Sequence, residues 1–145
     1  MKAVVQRVSS ASVTVGNQTV GRIGKGYVIL VGFGEGDNAS KVEKMADKIQ
    51  KLRIFADENG KTNLSIRDVG GGVLIVSQFT LYADCRKGNR PSFVYAAEPA
   101  VAEELYNHFI RYAQGKFNEV EHGVFGAMMN VELVNDGPFT LVLED

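Results

Sequence analysis

Four residues in a row, Ser77-Gln78-Phe79-Thr80, carry the hydroxyl and amide groups from which a reacting site could be built. They follow the apolar run Val73-Leu74-Ile75-Val76 and the glycine triplet Gly70-Gly71-Gly72. A hydroxyl nucleophile needs a base to take its proton. No His, Lys or carboxylate stands near Ser77 or Thr80 in the sequence. The chain has no Gly-rich P-loop, no Gly-x-Ser-x-Gly elbow and no His-Glu-x-x-His. Its one cysteine, Cys85, has no neighbouring base to raise its reactivity. Catalysis here would have to come from fixed backbone N–H donors and from positioning. Two readings stand: a core strand leaving its sheet through a polar turn, or a strand end that offers amides and polar side chains to a ligand. Burying Ser77, Gln78 and Thr80 costs free energy in either case unless each finds partners.

Two other stretches could bind. Arg86, Lys87 and Arg90 lie within five residues, among Gly88, Asn89 and Pro91. This is the one dense cationic cluster, either a solvated loop or a phosphate-binding loop. Gly137-Pro138 joins two apolar runs, and an X-Pro bond in a tight connection can be cis, exposing the glycine carbonyl on a rigid corner. His108 and His122 fall in different segments, and no Cys/His cluster has metal-ligand spacing, so no metal or other cofactor is expected.

The elements that must position these residues follow from patterning. Residues 3–15 alternate with slips at Val4-Val5 and Ser9-Ser10, the pattern of a long strand bent near Ser9. Gly16-Asn17 suits a hairpin turn into a strand over 18–23. Tyr27 to Phe33 reads as a buried strand. Val42, Met45, Ala46, Ile49 and Leu52 share one face of a helix over about 40–52, capped by Asn38 or Ser40, with Glu43 in the capping-box position of Ser40. Short pieces over 53–56 and 62–66 precede the central strand. Glu98-Pro99 opens a second helix, with Val101, Leu105, Phe109, Tyr112 and Ala113 as its apolar face and Gly115 at its end. Three closing strands are expected over 120–125, 128–134 and 139–143, the last two joined by a turn at Asn135-Asp136-Gly137-Pro138. The expectation is α+β: one domain over 1–145 with a curved, mostly antiparallel, barrel-like sheet and two packed helices.

The chain has 145 residues, 45% of them hydrophobic and 23% charged, which is enough apolar material for a core. A formal net charge of −1 supplies no global field for nucleic acid or acidic lipid, so RNA would have to be held by a local patch. The N-terminus is too polar for a signal peptide and no apolar run reaches membrane length, so the cytoplasm is the expected compartment.

Ser77-Gln78-Phe79-Thr80 together with Asn135-Asp136-Gly137-Pro138-Phe139-Thr140 resembles the motif pair of the D-aminoacyl-tRNA deacylases. The likeness runs the whole length, through Gln6-Arg7-Val8, Ala11-Ser12-Val13, Asn63-Leu64 and Arg90-Pro91-Ser92-Phe93. Phe139 departs from it, standing where that family more often has a smaller apolar residue. The resemblance implies a homodimeric, metal-free esterase that acts on tRNA charged with D-amino acids or with glycine, and not on DNA or at a membrane. It implies that Ser77, Gln78, Phe79 and Thr80 form the catalytic turn, using the backbone of Phe79 and Thr80. Gly137 and Pro138, in cis, would enter the partner's pocket, read the substrate amino group and exclude L side chains. Phe125 and Met129 would be apolar walls, Arg7 would hold the corner, and Arg86, Lys87 and Arg90 would contact tRNA phosphates. The terminal ribose 2′-hydroxyl would assist the reaction. Two other readings compete: an RNA-binding dimer without turnover, and a thiol hydrolase using Cys85.

Overall fold

Alternation of buried side chains decides the architecture. The computed structural model describes all 145 residues, Met1–Asp145. The elements run β1 (Lys2–Val15), β2 (Gln18–Ile23), β3 (Gly26–Gly32), α1 (Ala39–Lys51), β4 (Phe55–Ala56), β5 (Thr62–Leu64), β6 (Gly72–Ser77), a 3-10 turn (Phe79–Tyr82), α2 (Pro99–Gln114), β7 (Glu119–His122) and β8 (Met129–Glu144). Along β3 and β6, Tyr27, Ile29, Val31, Val73 and Ile75 face one core, and Val28, Leu74 and Val76 face another. Both strands are therefore apolar throughout, as strands covered on both faces must be. The first core is shared with the two helices; the second lies within the curve of the sheet, with Val8, Ala11, Val13 and Ile23.

The main sheet has the order β2-β1-β3-β6-β7, with β8 paired to β1. Three pairings and one close approach show how it curls. β1 pairs antiparallel with β3 through Lys2–Val8 and with β2 through Ala11–Val15. β8 runs antiparallel along the whole of β1, with register shifts between Gln6 and Val8 and between Val8 and Ser10. The expected irregularity near Ser9 is the point at which β1 passes from one partner to the other. At the far side Gly21 of β2 backs onto His122 of β7: a Cβ there would stand 3.1 Å from the His122 carbonyl oxygen. The sheet is nearly closed into a barrel. The pairs β3–β6 and β6–β7 are parallel, so the central strand is parallel to both neighbours.

Asn38 caps α1, its side chain accepting from Lys41 N at 3.2 Å. Glu43 is not the capping partner of Ser40; its carboxylate meets His108 Nε2 on α2 at 3.0 Å. Pro99 starts α2 and Gly115 ends it. The buried face of α2 is Ala102, Leu105, Tyr106, Phe109, Ile110 and Ala113, rotated from the expected stripe, so that Val101 is 48% exposed. Gly16, at φ 60°, makes the β1–β2 turn.

The last three strands differ from expectation. β7 stops at His122, and 123–128 is a loop. The runs on either side of Gly137-Pro138 are not a hairpin. Both belong to β8 and both pair with β1, Thr140 opposite Gln6 and Asn135 opposite Val8. Two steps along β1 are matched by five along β8, so the surplus residues bulge out as a corner. A turn signal inside an alternating strand looks like a hairpin in sequence; here β1 holds the register on both sides of it.

Candidate active site

The parallel pairing of β3, β6 and β7 sends their C-terminal ends to the same edge. Ligands in sheets of parallel strands gather outside these ends. Ser77 closes β6 and is half-buried, paired with Val31. Gln78 N donates to Val31 O at 2.7 Å and then leaves the sheet. Phe79–Tyr82 form the 3-10 turn, with Leu81 N on Gln78 O at 3.2 Å and Ala83 N on Thr80 O at 3.0 Å. Phe79 and Thr80 are the first two residues of the turn, where amides have no acceptor within the turn itself. Phe79 is 57% exposed and packs edge-on against Phe93, with ring centroids 4.9 Å apart. The Thr80 hydroxyl accepts from Gln78 Nε2. No imidazole, amine or carboxylate hydrogen-bonds to either Ser77 or Thr80 through its side chain.

The end of β7 adjoins that of β6. Gly123 N donates to Ile75 O at 2.9 Å. The buried Tyr106 hydroxyl lies 2.9 Å from Ile75 O and 3.2 Å from Gly123 O, tying the two strand ends together. Burial pushes the Tyr106 phenol well above its usual range. Phe125 lies against Tyr106, centroids 5.9 Å apart. Met129 Sδ fills the space beside Gly123, 2.5 Å from where a Cβ would stand. Phe125 and Met129, both half-buried, are thus brought to the same sheet edge as Ser77.

The corner is held elsewhere. Arg7, 8% exposed, donates Nε to Asp136 O at 3.0 Å, Nη2 to Gly137 O at 3.2 Å, and Nη1 to Ile54 O. Nε also pairs with Asp136 Oδ2 at 3.2 Å. The guanidinium lies 4.5 Å from the Phe139 ring centroid and 5.9 Å from that of Phe55. The large ring of Phe139 therefore covers the buried cation. The Gly137–Pro138 bond is cis, and both residues are exposed. Arg7 stands opposite Tyr27, whereas Ser77 stands beside Val31, four residues further along β3. At the strand rise, the Arg7 and Ser77 positions are offset by roughly 13 Å along β3 within one chain.

Of the basic cluster, Arg86 is already engaged. Its Nε and Nη2 reach Asp84 Oδ1 and Oδ2 at 2.8 and 2.7 Å, and Nη2 meets Tyr95 Oη at 3.3 Å. These bonds hold the Asp84 carboxyl down at about 2. Lys87 and Arg90 are exposed and form no ion pair. A cleft of about 490 Å³ beside the turn is lined by Lys2, Tyr82, Asp84, Cys85, Arg86 and Tyr95. Sequence reasoning passes over Tyr82, Tyr95 and Asp84, single residues of an irregular segment with no periodic signal, and Tyr106, whose place on the buried face of α2 marks it only as core. No helix is long and apolar enough to cross a membrane, and no group of three or more His, Cys, Asp or Glu side chains is arranged to hold a metal ion.

Comparison with known proteins gives this geometry a class. The chain is 56% identical over 144 residues to the D-aminoacyl-tRNA deacylase of Lactobacillus helveticus strain DPC 4571, covering 99% of both chains. It is 57% identical to that of Koribacter versatilis strain Ellin345, covering 99% of this chain and 97% of the relative. A solved structure described as c-Myc DNA Unwinding Element Binding Protein superposes with a TM-score of 0.94 at 43% identity, covering 100% of this chain and 99% of that one. A second, described as a probable eukaryotic D-amino acid tRNA deacylase, has the same fold, with a TM-score of 0.86 at 17% identity and coverage of 98% and 97%. The class is that of the hydrolytic aminoacyl-tRNA deacylases. More particularly, the model of the D-Tyr-tRNA(Tyr) deacylase family matches residues 4–144, and the chain belongs to that family.

Proposed function

We propose that this chain hydrolyses the ester of D-aminoacyl-tRNA, and of tRNA mischarged with glycine, releasing the amino acid and free tRNA, in the cytoplasm and as a homodimer. The observation that carries this reading is a turn with exposed amides and no side-chain base, in a member of this family. The Phe79 and Thr80 amides would stabilise the developing oxyanion. The ribose 2′-hydroxyl beside the scissile ester would orient the attacking water or share its proton. The cleft lined by Tyr82, Tyr95 and Arg86 is large enough for a nucleoside and would take the RNA 3′ end.

The Gly137-Pro138 corner would complete the partner's site. Its distance along β3 from the turn of its own chain favours this reading over closure within one protomer. Arg7 occupies one lone pair of the Gly137 carbonyl, which leaves the second for the substrate amino group. Phe125 and Met129 would wall the pocket, and collision with the corner would reject an L side chain. Lys87, Arg90 and, by its remaining donors, Arg86 would meet tRNA phosphates. Duplex DNA binding is the second reading, raised by the name of the 43% identical structure.

The test is release of amino acid from tRNA charged with one amino acid in its D or L form, and with glycine, in the presence and absence of excess duplex DNA. The reading expects release of D-amino acid and glycine, a stable L ester, and little inhibition by DNA. Equal release of both enantiomers, or binding without release, would overturn it.

A further inference from the structure

The turn that carries the Phe79 and Thr80 amides is seated on Gly32, the last residue of β3, and on Gly34 just beyond it, neither of which has a side chain. A Cβ on Gly32 would stand 2.8 Å from Gln78 O and 3.2 Å from Leu81 Cβ. A Cβ on Gly34 would stand 2.7 Å from Cζ and 2.8 Å from Oη of Tyr82, the last residue of the turn. At Gly32 the neighbour is backbone, so a Cβ could enter only by moving the turn; at Gly34 it would displace the Tyr82 ring. The Tyr82 hydroxyl then reaches the Asp37 carboxylate, 3.4 Å from Oδ2. The Lys2 ammonium lies 5.1 Å from the centre of the Tyr82 ring.

Asp37 is itself fixed from several directions. Its side chain is only 3% exposed. Oδ1 takes the α-ammonium of Met1 at 2.7 Å and Lys41 Nζ at 3.4 Å, and Oδ2 takes Gly34 N at 2.7 Å. The Met1 ammonium is held in turn by Asp145 O at 2.9 Å. A buried carboxylate with this many donors has one orientation. It joins the starts of β1 and α1, the loop after β3 and the end of the turn.

We propose that Asp37, anchored by the Met1 ammonium, is a positioning residue for the reaction: through Tyr82 it sets the Phe79–Tyr82 turn on Gly32 and Gly34, and so fixes where the Phe79 and Thr80 amides point. The proposal rests on the reading of that turn as the reacting site. Asp37 touches no reacting atom; its effect is on donor placement, where displacement by about 1 Å can cost about a hundredfold in rate.

Tyr82→Phe keeps the ring on Gly34 and removes only the hydroxyl; Asp37→Asn keeps the size and removes the charge. Three readouts separate the outcomes: single-turnover rate at saturating D-aminoacyl-tRNA, the half-saturating tRNA concentration, and hydrogen exchange of the Leu81 and Ala83 amides, which are bonded within the turn. The expected result is a rate lower by roughly tenfold in Asp37→Asn, which weakens several charge-assisted hydrogen bonds, and by about threefold in Tyr82→Phe, whose hydroxyl contact is long at 3.4 Å. Half-saturation should stay within about twofold in Asp37→Asn, whose side chain does not line the cleft, and Leu81 and Ala83 should exchange faster in both variants. A lower melting temperature with unchanged rate would reduce Asp37 to a structural role and overturn the proposal, as would unchanged exchange. If the unaltered protein shows no D-selective hydrolysis, the functional reading fails by itself, and exchange at Leu81 and Ala83 still decides whether Asp37 holds the turn.

Discussion

Arg7 and Thr80 carry opposite expectations. The buried Arg7 fork serves carbonyls of Ile54, Asp136 and Gly137 between two aromatic rings. Arg7→Ala leaves those acceptors without their donor and opens a gap beside Phe139. It should lower folding stability by about 2–4 kcal/mol in denaturant titration. Arg7→Lys should recover little, because one ammonium cannot span a planar fork. Thr80→Ala should instead keep most of the hydrolytic rate, since its hydroxyl meets only Gln78 and no base. A substrate ending in 2′-deoxyadenosine should be bound but nearly inert. Single-turnover deacylation of both substrates checks this, and a trapped acyl-Thr80 would contradict it. Asp37 gives a pH signature. Burial by itself would raise its carboxyl, but the Gly34 amide, the Met1 ammonium and Lys41 outweigh burial and hold it below the usual value. A depressed native pKa stabilises above the unfolded pKa of about 3.9, and that stabilisation is lost as pH falls through the native value. Asp37→Asn should therefore be less stable near neutrality and lose less on acidification below about pH 4, as read from melting temperature against pH.

At the scale of elements, the basic loop makes the sharpest forecast. Arg86 is committed to Asp84, whereas Lys87 and Arg90 are free to bind. Lys87→Gln with Arg90→Gln should weaken tRNA binding and flatten its log–log salt dependence by roughly one unit for each phosphate no longer neutralised. Arg86→Gln alone should change the slope less. An unchanged slope in the double variant would place the RNA elsewhere. The elements themselves are legible in the sequence where one period prevails. Helix α1, the β1–β2 hairpin and the strand over Val73–Val76 follow from spacing and turn chemistry. Three features do not. The buried face of α2 departs from the expected stripe because Ala102 and Ile110 line up with Leu105 and Tyr106, and Val101 is apolar without being inward. The parallel partners of β6 have no local signal, since a strand covered on both faces looks alike in either pairing. The 135–138 segment contains a hairpin's residues, and only its long-range register against β1 makes it a corner. The candidate site shows the same division. Its short motifs stand out in sequence, but Tyr82, at the end of the turn, and the distant Tyr106 and Asp37, which contact the strand ends and the turn, are single residues outside any motif.

For the molecule as a whole, the central claim is that each working site is built from two chains, the turn from one and the corner from the other. Phe79→Pro removes one turn amide at the first position of the 3-10 turn, where proline fits, and leaves the corner intact. Gly137→Val places bulk on the exposed corner and leaves the turn intact. Each variant alone should be folded, dimeric and inactive. The deciding measurement is D-aminoacyl-tRNA hydrolysis by an equal mixture of the two after subunit exchange. Random pairing makes half the dimers mixed, each with one sound turn facing one sound corner. Activity should recover to about a quarter of that of the unaltered protein, with L-aminoacyl-tRNA still untouched. A mixture as inactive as its parents, with mixed dimers demonstrably formed, would contradict the central claim.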